Sequence, residues 1–522
     1  MSAMAGTPAH PDLRSLASLG AGFWAPVTVV AIASVLFLHL ADGNLVIAAV
    51  PVLLTVLGWA MWKLPLRITL FSFMFIALAV EGPISNDVPT FGEAFSLAGQ
   101  LVLMNLNIIT KIGPLAFCTV DALTVFAVIA IWYRKSKRSR IDLVGQFQTP
   151  TPLAAIGVFT FVGTVALFGL GILRGGDFRN SLWQVHVLLY VPALFLLFQS
   201  AVRGPLDHAA LGKVVLAAAI LRAGLVLFIA ANAEAPIENA ATSHSDSVLF
   251  AVACTVLIAR FNERPSGRHL TWCVVLLPIF FAAMVANNRR LVWVELAAAL
   301  LTLLLISPWT KLKRAFAYGA LLLSPIILPY LVIGWNAKSK IFAPVQVLAS
   351  MASSRPDAST VMRDIENYNL LKTLKLNGLF GIGWGHPYVE FVGAIDISRL
   401  FPQYRYLPHN GLLGLWAFNG LFGFFILFAL PVAGVFFAAR AYHRARRPDD
   451  RAAALCVAAT VACHLVQCFG DIGTSSWTSV FLLGPALAVA GKLAVATGAW
   501  PTRLPRKTVK APPTPVPLRA AA

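Results

Sequence analysis

Charge is what this chain has least of. Only 12% of its 522 residues are Asp, Glu, Lys or Arg, against about 25% in an ordinary soluble domain. Acidic residues are the scarcer sign, 22 against 41 basic, for a net charge of +19. No two aspartates stand at i, i+2, so the metal-binding Asp-x-Asp pair of many soluble sugar-nucleotide transferases is missing. No P-loop occurs, and no cluster of His, Cys and carboxylates has zinc spacing, so neither nucleotide hydrolysis nor a metal cofactor is expected. The six cysteines all fall inside apolar runs and read as buried thiols, not as a disulfide framework. No internal repeat is visible, which argues against the repeat-built transporter folds.

In place of charge there is hydrocarbon. The chain is 58% hydrophobic with a mean hydropathy of +0.77. Apolar runs long enough for a bilayer core of about 30 Å recur along it. They predict an all-α, polytopic membrane helix bundle of about 12–14 transmembrane helices. The candidate spans are 23–40, 44–62, 66–80, 113–133, 152–173, 181–202, 211–232, 245–261, 269–287, 290–306, 315–335, 410–439, 452–470 and 476–497. The first run has no small-residue cleavage site after it and is expected to be a retained anchor. The segment 81–112 is only mildly apolar and fits a re-entrant or interfacial piece. Four regions follow: N-terminal spans over 1–335, a large polar loop over 336–409 carrying the chemistry and short amphipathic helices, C-terminal spans over 410–498, and a basic tail over 499–522 expected to be disordered at anionic lipid.

A charge of +19 invites a nucleic-acid partner, but basic residues of membrane proteins collect in cytoplasmic loops. Loops after even-numbered spans hold twenty Lys and Arg, whereas the short loops after odd-numbered spans hold five. The expected partner is therefore the lipid bilayer, with no nucleic acid. Both termini are expected in the cytoplasm, and the 336–409 loop outside.

Basic residues on that outer face are then the exceptions. Asn287-Asn288-Arg289-Arg290 fills a tight turn between two spans. It is either a capped turn with snorkelling arginines or an anion site, since a guanidinium fork suits diphosphate oxygens. Glu295, five residues on, is a candidate partner or acid. Val361, Ile365, Tyr368, Leu371 and Leu374 recur at helical spacing, predicting an amphipathic helix over 361–376, capped by Ser359 or Thr360 and ended at Asn377-Gly378. Its other face carries Arg363, Asp364, Asn367 and Lys372. A cation in the first turn opposes the helix dipole, and with the free backbone donors there it suits an anion. Gly381, Gly383 and Gly385 predict a tight turn where backbone approaches something closely. His409-Asn410, after Pro408, opens the twelfth span. It either caps an interfacial helix or places an imidazole that can take a proton from a sugar hydroxyl near neutral pH, orient that hydroxyl, or donate to a phosphate. Arg222 lies mid-span, where a charge costs at least about 2.5 kcal/mol, and must face the bundle interior or a wet cavity. Arg174 and Arg179, before the sixth span, are interfacial anchors or substrate contacts. Asp121, His186 and His464 are expected to have core partners.

Taken together, Asn288-Arg289-Arg290, Thr360-x-x-Arg363, Gly381-x-Gly383-x-Gly385 and Pro408-His409-Asn410 followed by Gly420 and Gly423 resemble the O-antigen ligase and O-antigen polymerase superfamily of bacterial membrane glycosyltransferases. The resemblance covers roughly 285–430. It implies transfer of a preassembled glycan from undecaprenyl diphosphate, or another polyprenyl diphosphate, to a glycan or lipid A-core acceptor. That transfer would take place without a metal, on the periplasmic face of the inner membrane. Carried over, Arg290 and Arg363 would bind the diphosphate, Arg289 could stand in for Arg290, and His409 would serve the acceptor or act as base. Arg222, Arg179, Arg174 and Asn410 are further candidate substrate contacts. The rival from another class is a polysaccharide or lipid-linked oligosaccharide flippase.

Overall fold

A computed structural model describes residues 21–40, 48–80, 117–136, 149–232, 241–337, 358–393 and 403–501, with a few isolated positions between them. Arg355, most of 81–112 and the tail from 502 onward lie outside the described residues. The protein is all α-helical, a polytopic membrane bundle. Each of the fourteen expected spans holds a helix among its described residues. In chain order they are α1 (Ala21–Leu40), α2 (Val50–Lys63), α3 (Leu66–Val80), α4 (Thr119–Ser136), α5 (Thr151–Leu173), α6 (Phe178–Ala201), α7 (Pro205–Asn232), α8 (Asp246–Glu263), α9 (Gly267–Ala286), α10 (Leu291–Ile306) and α11 (Lys311–Gly334). The loop helix α12 (Ala358–Leu376) follows, then α13 (Gly411–Arg444), α14 (Pro448–Gly470) and α15 (Trp477–Ala496). Among the described residues, eight are long and apolar enough to cross a membrane by length and composition: α5, α6, α7, α9, α11, α13, α14 and α15. Val27–His39 within α1, together with α2, α3 and α10, forms shorter apolar helices.

α14 is the hub. It packs against α8, α10, α13 and α15, and α15 in turn packs on α6. Its inner face is built from Ala454, Ala458, Ala459, Thr460 and Cys463, all buried. Small side chains let helix backbones approach closely where lipid supplies no hydrophobic drive between helices. The cysteines of the chain are all free thiols.

Hydrogen bonds gather the loops into two ends. At one end Asp207 ties to Arg203, His208 to Asp450, and Tyr442 to Glu263. At the other, Thr242 pairs with Asn287, His244 with Asp471, Ser245 with Ser476, and the His409 carbonyl with the Ile472 amide. The residues expected from sequence on the outer face lie at this second end, and mid-span Arg222 is tied to it through Asp246 at the start of α8.

α13 explains how the 336–409 loop is held. At 34 residues it would run about 51 Å as one helix, well beyond the hydrocarbon core. It breaks at Gly420, whose φ of 64° and ψ of −175° belong to backbone essentially restricted to glycine. The opened turn pairs with the glycine loop. Ile382 and Gly383 amides donate to the Ala417 and Phe418 carbonyls, and Leu421 and Phe422 amides donate to Gly378 and Leu379. The expected tight approach at Gly381 is therefore real. A Cβ there would lie 2.3 Å from Phe418 backbone, and φ is +70°.

Candidate functional site

The site is assembled from four backbone segments. α12 begins at Ala358, three residues before the expected start, and ends at Leu376 as the Asn377-Gly378 signal indicates. Its orientation is the less intuitive one. Val361, Tyr368 and Leu371 of the apolar stripe are exposed, while Glu366, Asn369, Leu370 and Thr373 are buried against the protein. Asn369 accounts for this. Its Oδ1 accepts from the Phe391 and Val392 amides and its Nδ2 donates to the Val392 carbonyl, so a polar face is satisfied by loop backbone.

One turn before Asn369, Glu366 meets His409. The His409 amide donates to Glu366 Oε2 at 3.0 Å, and His409 Nδ1 lies 3.4 Å from Oε1. The carboxylate is nearly buried and the imidazole about one third exposed. A carboxylate at Nδ1 is acceptor-only, so it favours the tautomer with Nδ1 protonated and leaves the Nε2 lone pair free. Asn410, the cap of α13, accepts from the Leu413 amide at 3.1 Å and donates to Asn367 Oδ1 at 3.0 Å. Arg363, Glu366 and Asn367 stand at i, i+3 and i+4, so one helix face presents a guanidinium, the His409 carboxylate and the Asn410 partner together.

The second half of the site is the turn 287–290. Asn288 takes a left-handed φ of 51°, which asparagine tolerates. Asn287 is buried and holds the 241–245 loop through Thr242 N at 3.0 Å. That loop brings His244 between Arg289 Nη2 and Asp471, with His244 Nδ1 2.6 Å from Asp471 Oδ2. Burial pushes the pKa of Arg289 below the ordinary arginine value against the pull of Asp471, and the neighbouring Arg363 lowers it further. Burial opposes ionisation of Asp471 but is outweighed by the His244 hydrogen bond and charge and by Arg363 and Arg289, so its carboxyl titrates below the usual range. Arg289, Arg363, His244 and Asp471 thus share one electrostatic neighbourhood, joined to His409 through the 471–472 backbone. Arg290 is exposed at the start of α10.

A depressed acid of this kind stabilises the fold above its unfolded pKa, and that stability is lost as pH falls through the folded value. Asp471→Asn should therefore flatten the dependence of the thermal midpoint on pH below about 4. Parallel melting curves for the two proteins over that range would show Asp471 uncoupled from the arginines.

The remaining candidates are placed as follows. Arg222 is fully buried and forks onto Asp246 of α8, with Nη2 2.7 Å from each carboxylate oxygen. Arg174 donates to the Phe380 and Gly381 carbonyls at 3.3 and 2.9 Å, bracing the glycine loop. Arg179 is exposed in the first turn of α6. Glu295 is fully buried, with neither carboxylate oxygen partnered among the described residues. Asp121 and His186 partner each other at 2.8 Å, with Tyr190 also on Asp121, but both are half-buried and not in the core as expected. Cys118 completes a group whose candidate ligand atoms lie within 4.8 Å, although residues 118 and 186 are far apart in sequence. His464 Nε2 lies 3.4 Å from Cys468 Sγ, and its Nδ1 has no partner among the described residues.

Sequence reasoning passed over Glu366, His244 and Asp471. A signal existed for two of them. Glu366 follows Arg363 by three residues, and Asp471 is the only acidic residue after Asp450, placed where a span ends.

Residues 273–428 match the family model described as O-Antigen ligase. No curated protein matches the chain. The matched stretch contains Arg289, Arg290, all of α12, the glycine loop, His409 and the Gly420 break. Over that stretch this multi-pass membrane protein is therefore similar to the O-antigen ligases.

Proposed function

We propose that the protein transfers a preassembled glycan from a polyprenyl diphosphate, such as undecaprenyl diphosphate, to another glycan or to a lipid A core. The reaction is read as taking place on the periplasmic face and without a metal. The observation that carries this reading is the face of α12, which sets Arg363 one turn from the carboxylate that holds His409. The acceptor hydroxyl attacks the anomeric carbon and His409 Nε2 takes its proton. The carbon–oxygen bond to the diphosphate breaks and the diphosphate leaves with the electron pair. Positive charge fixed where that negative charge develops lowers the barrier without reorganisation. Arg289 and Arg363 supply it, and Arg290 at the exposed rim adds to it. Asn410 and the arginines Arg174 and Arg179 border the approach for the glycan, while Arg222 supports the 241–245 loop through Asp246.

The test is transfer in membranes supplied with a polyprenyl-diphosphate glycan and an acceptor. Arg363→Lys keeps the charge but loses the planar fork, and should slow transfer about tenfold, or about 1.4 kcal/mol. A chelator should leave the rate unchanged. Normal transfer in isolated membranes, with lipid-linked repeats trapped on the cytoplasmic leaflet in cells, would favour a flippase instead.

A further inference from the structure

At the end of the bundle away from His409, a cavity of about 130 Å³ runs between α7, α8, α14 and α15. One water needs about 10–15 Å³ of such space, so this one would hold roughly ten. Its walls are mainly apolar, with Leu211, Val215, Val252, Val256, Leu482 and Val489 facing it. Waters against those walls would lack hydrogen-bond partners, and an empty space would leave the wall atoms without contacts. Hydrocarbon meets both demands. The cavity is also long. Arg447 and Thr460 both line it from one helix, thirteen residues and about 20 Å apart, which is on the scale of a fatty acyl chain.

Polar groups are nearly all confined to one end of this slot, where His208, Arg260, Arg447 and Asp449 form the rim. His208 is buried with Nε2 3.1 Å from Asp450, and its Nδ1 has no partner among the described residues. Arg260 and Arg264 reach Asp449 only at 3.6 and 3.7 Å, loose contacts that leave guanidinium donors to spare. Arg447 is exposed at the N-terminal cap of α14. Such a rim suits a phosphate. We propose that the cavity holds one acyl chain of an anionic membrane phospholipid, with its phosphate at Arg447 and Arg260. The glycan donor is a different ligand: its diphosphate belongs near Asp471, the full length of α14 and about 35 Å away.

The experiment uses the full chain extracted in detergent, freed of loose lipid and analysed for bound phospholipid by mass spectrometry. One phosphatidylglycerol-class lipid should remain per chain. Ala453→Phe, which fills the slot from its wall, should release it. The double variant Arg260→Gln/Arg447→Gln should lower the preference for phosphatidylglycerol over phosphatidylcholine, measured by exchange from vesicles, by roughly tenfold. This second variant carries the test alone if Ala453→Phe does not insert. Unchanged lipid in Ala453→Phe, or unchanged preference in the double variant, overturns the proposal. So does equal thermal stabilisation of the delipidated protein by inorganic phosphate alone and by phosphatidylglycerol, which would make the site a phosphate site without a chain.

Discussion

His409→Ala is expected to slow glycan transfer by about 10²–10⁴-fold, or about 2.7–5.5 kcal/mol of barrier, at unchanged protein level. The expectation rests on geometry: Nδ1 faces Glu366 and the ring is about one third exposed, so Nε2 is the nitrogen an acceptor can reach. His409 also holds the turn through its backbone, its carbonyl taking the Ile472 amide and its amide meeting Glu366. Those two bonds survive any side-chain change, so the variant tests the imidazole and not the turn. His409→Asn sharpens the test. Asparagine can keep a hydrogen bond to Glu366 but has no basic nitrogen, and activity within a few-fold of the parent would rule out proton transfer by His409. Glu366→Gln should fall between the two proteins, because an amide can offer its NH₂ to Nδ1 and turn the ring to the wrong tautomer. A rate equal to the parent's would leave Glu366 with a purely structural place.

The spans were legible because the signal for them is local. Each run such as 152–173 or 452–470 is apolar enough to declare itself, and Pro, Gly or charge marks its ends. The close backbone approach of the glycine loop was legible in kind but not in partner, because a run of glycines says that backbone approaches something and not that it approaches Phe418. What stayed hidden was pairing over distance. Arg222 is answered by Asp246 from the next helix, and Arg289 by His244 and Asp471, the latter 182 residues later. No period in the sequence encodes such a contact; only the packing of α8, α10 and α14 creates it. The direction of α12 was also hidden. Its apolar stripe suggests a buried face, yet Asn369 and Thr373 bind loop backbone better than Tyr368 or Leu371 could, and the polar side turns inward.

Gly420→Ala is expected to detach the glycine loop and abolish activity without touching a group that meets substrate. A Cβ at Gly420 would lie 2.2 Å from the Leu379 carbonyl oxygen and 2.3 Å from Phe380 N, both backbone atoms with no side chain to swing aside. The φ/ψ pair alone costs a non-glycine residue about 1–3 kcal/mol. Relief requires α13 to close into a continuous helix or the 378–383 loop to leave. Either movement breaks four interbackbone bonds, each worth about 1 kcal/mol. Since the same loop fixes the end of α12, its departure would carry Arg363 and Glu366 away from His409. Hydrogen exchange at the Ile382 and Gly383 amides should rise by orders of magnitude while amides of α14 and α15 stay protected. Gly169→Ala is the control. Nothing lies within 4 Å of a Cβ at that helical glycine, so it should be neutral or slightly stabilising. If Gly420→Ala kept slow exchange at 382–383 and full activity, the break in α13 would not be what holds Arg363 and Glu366 beside His409.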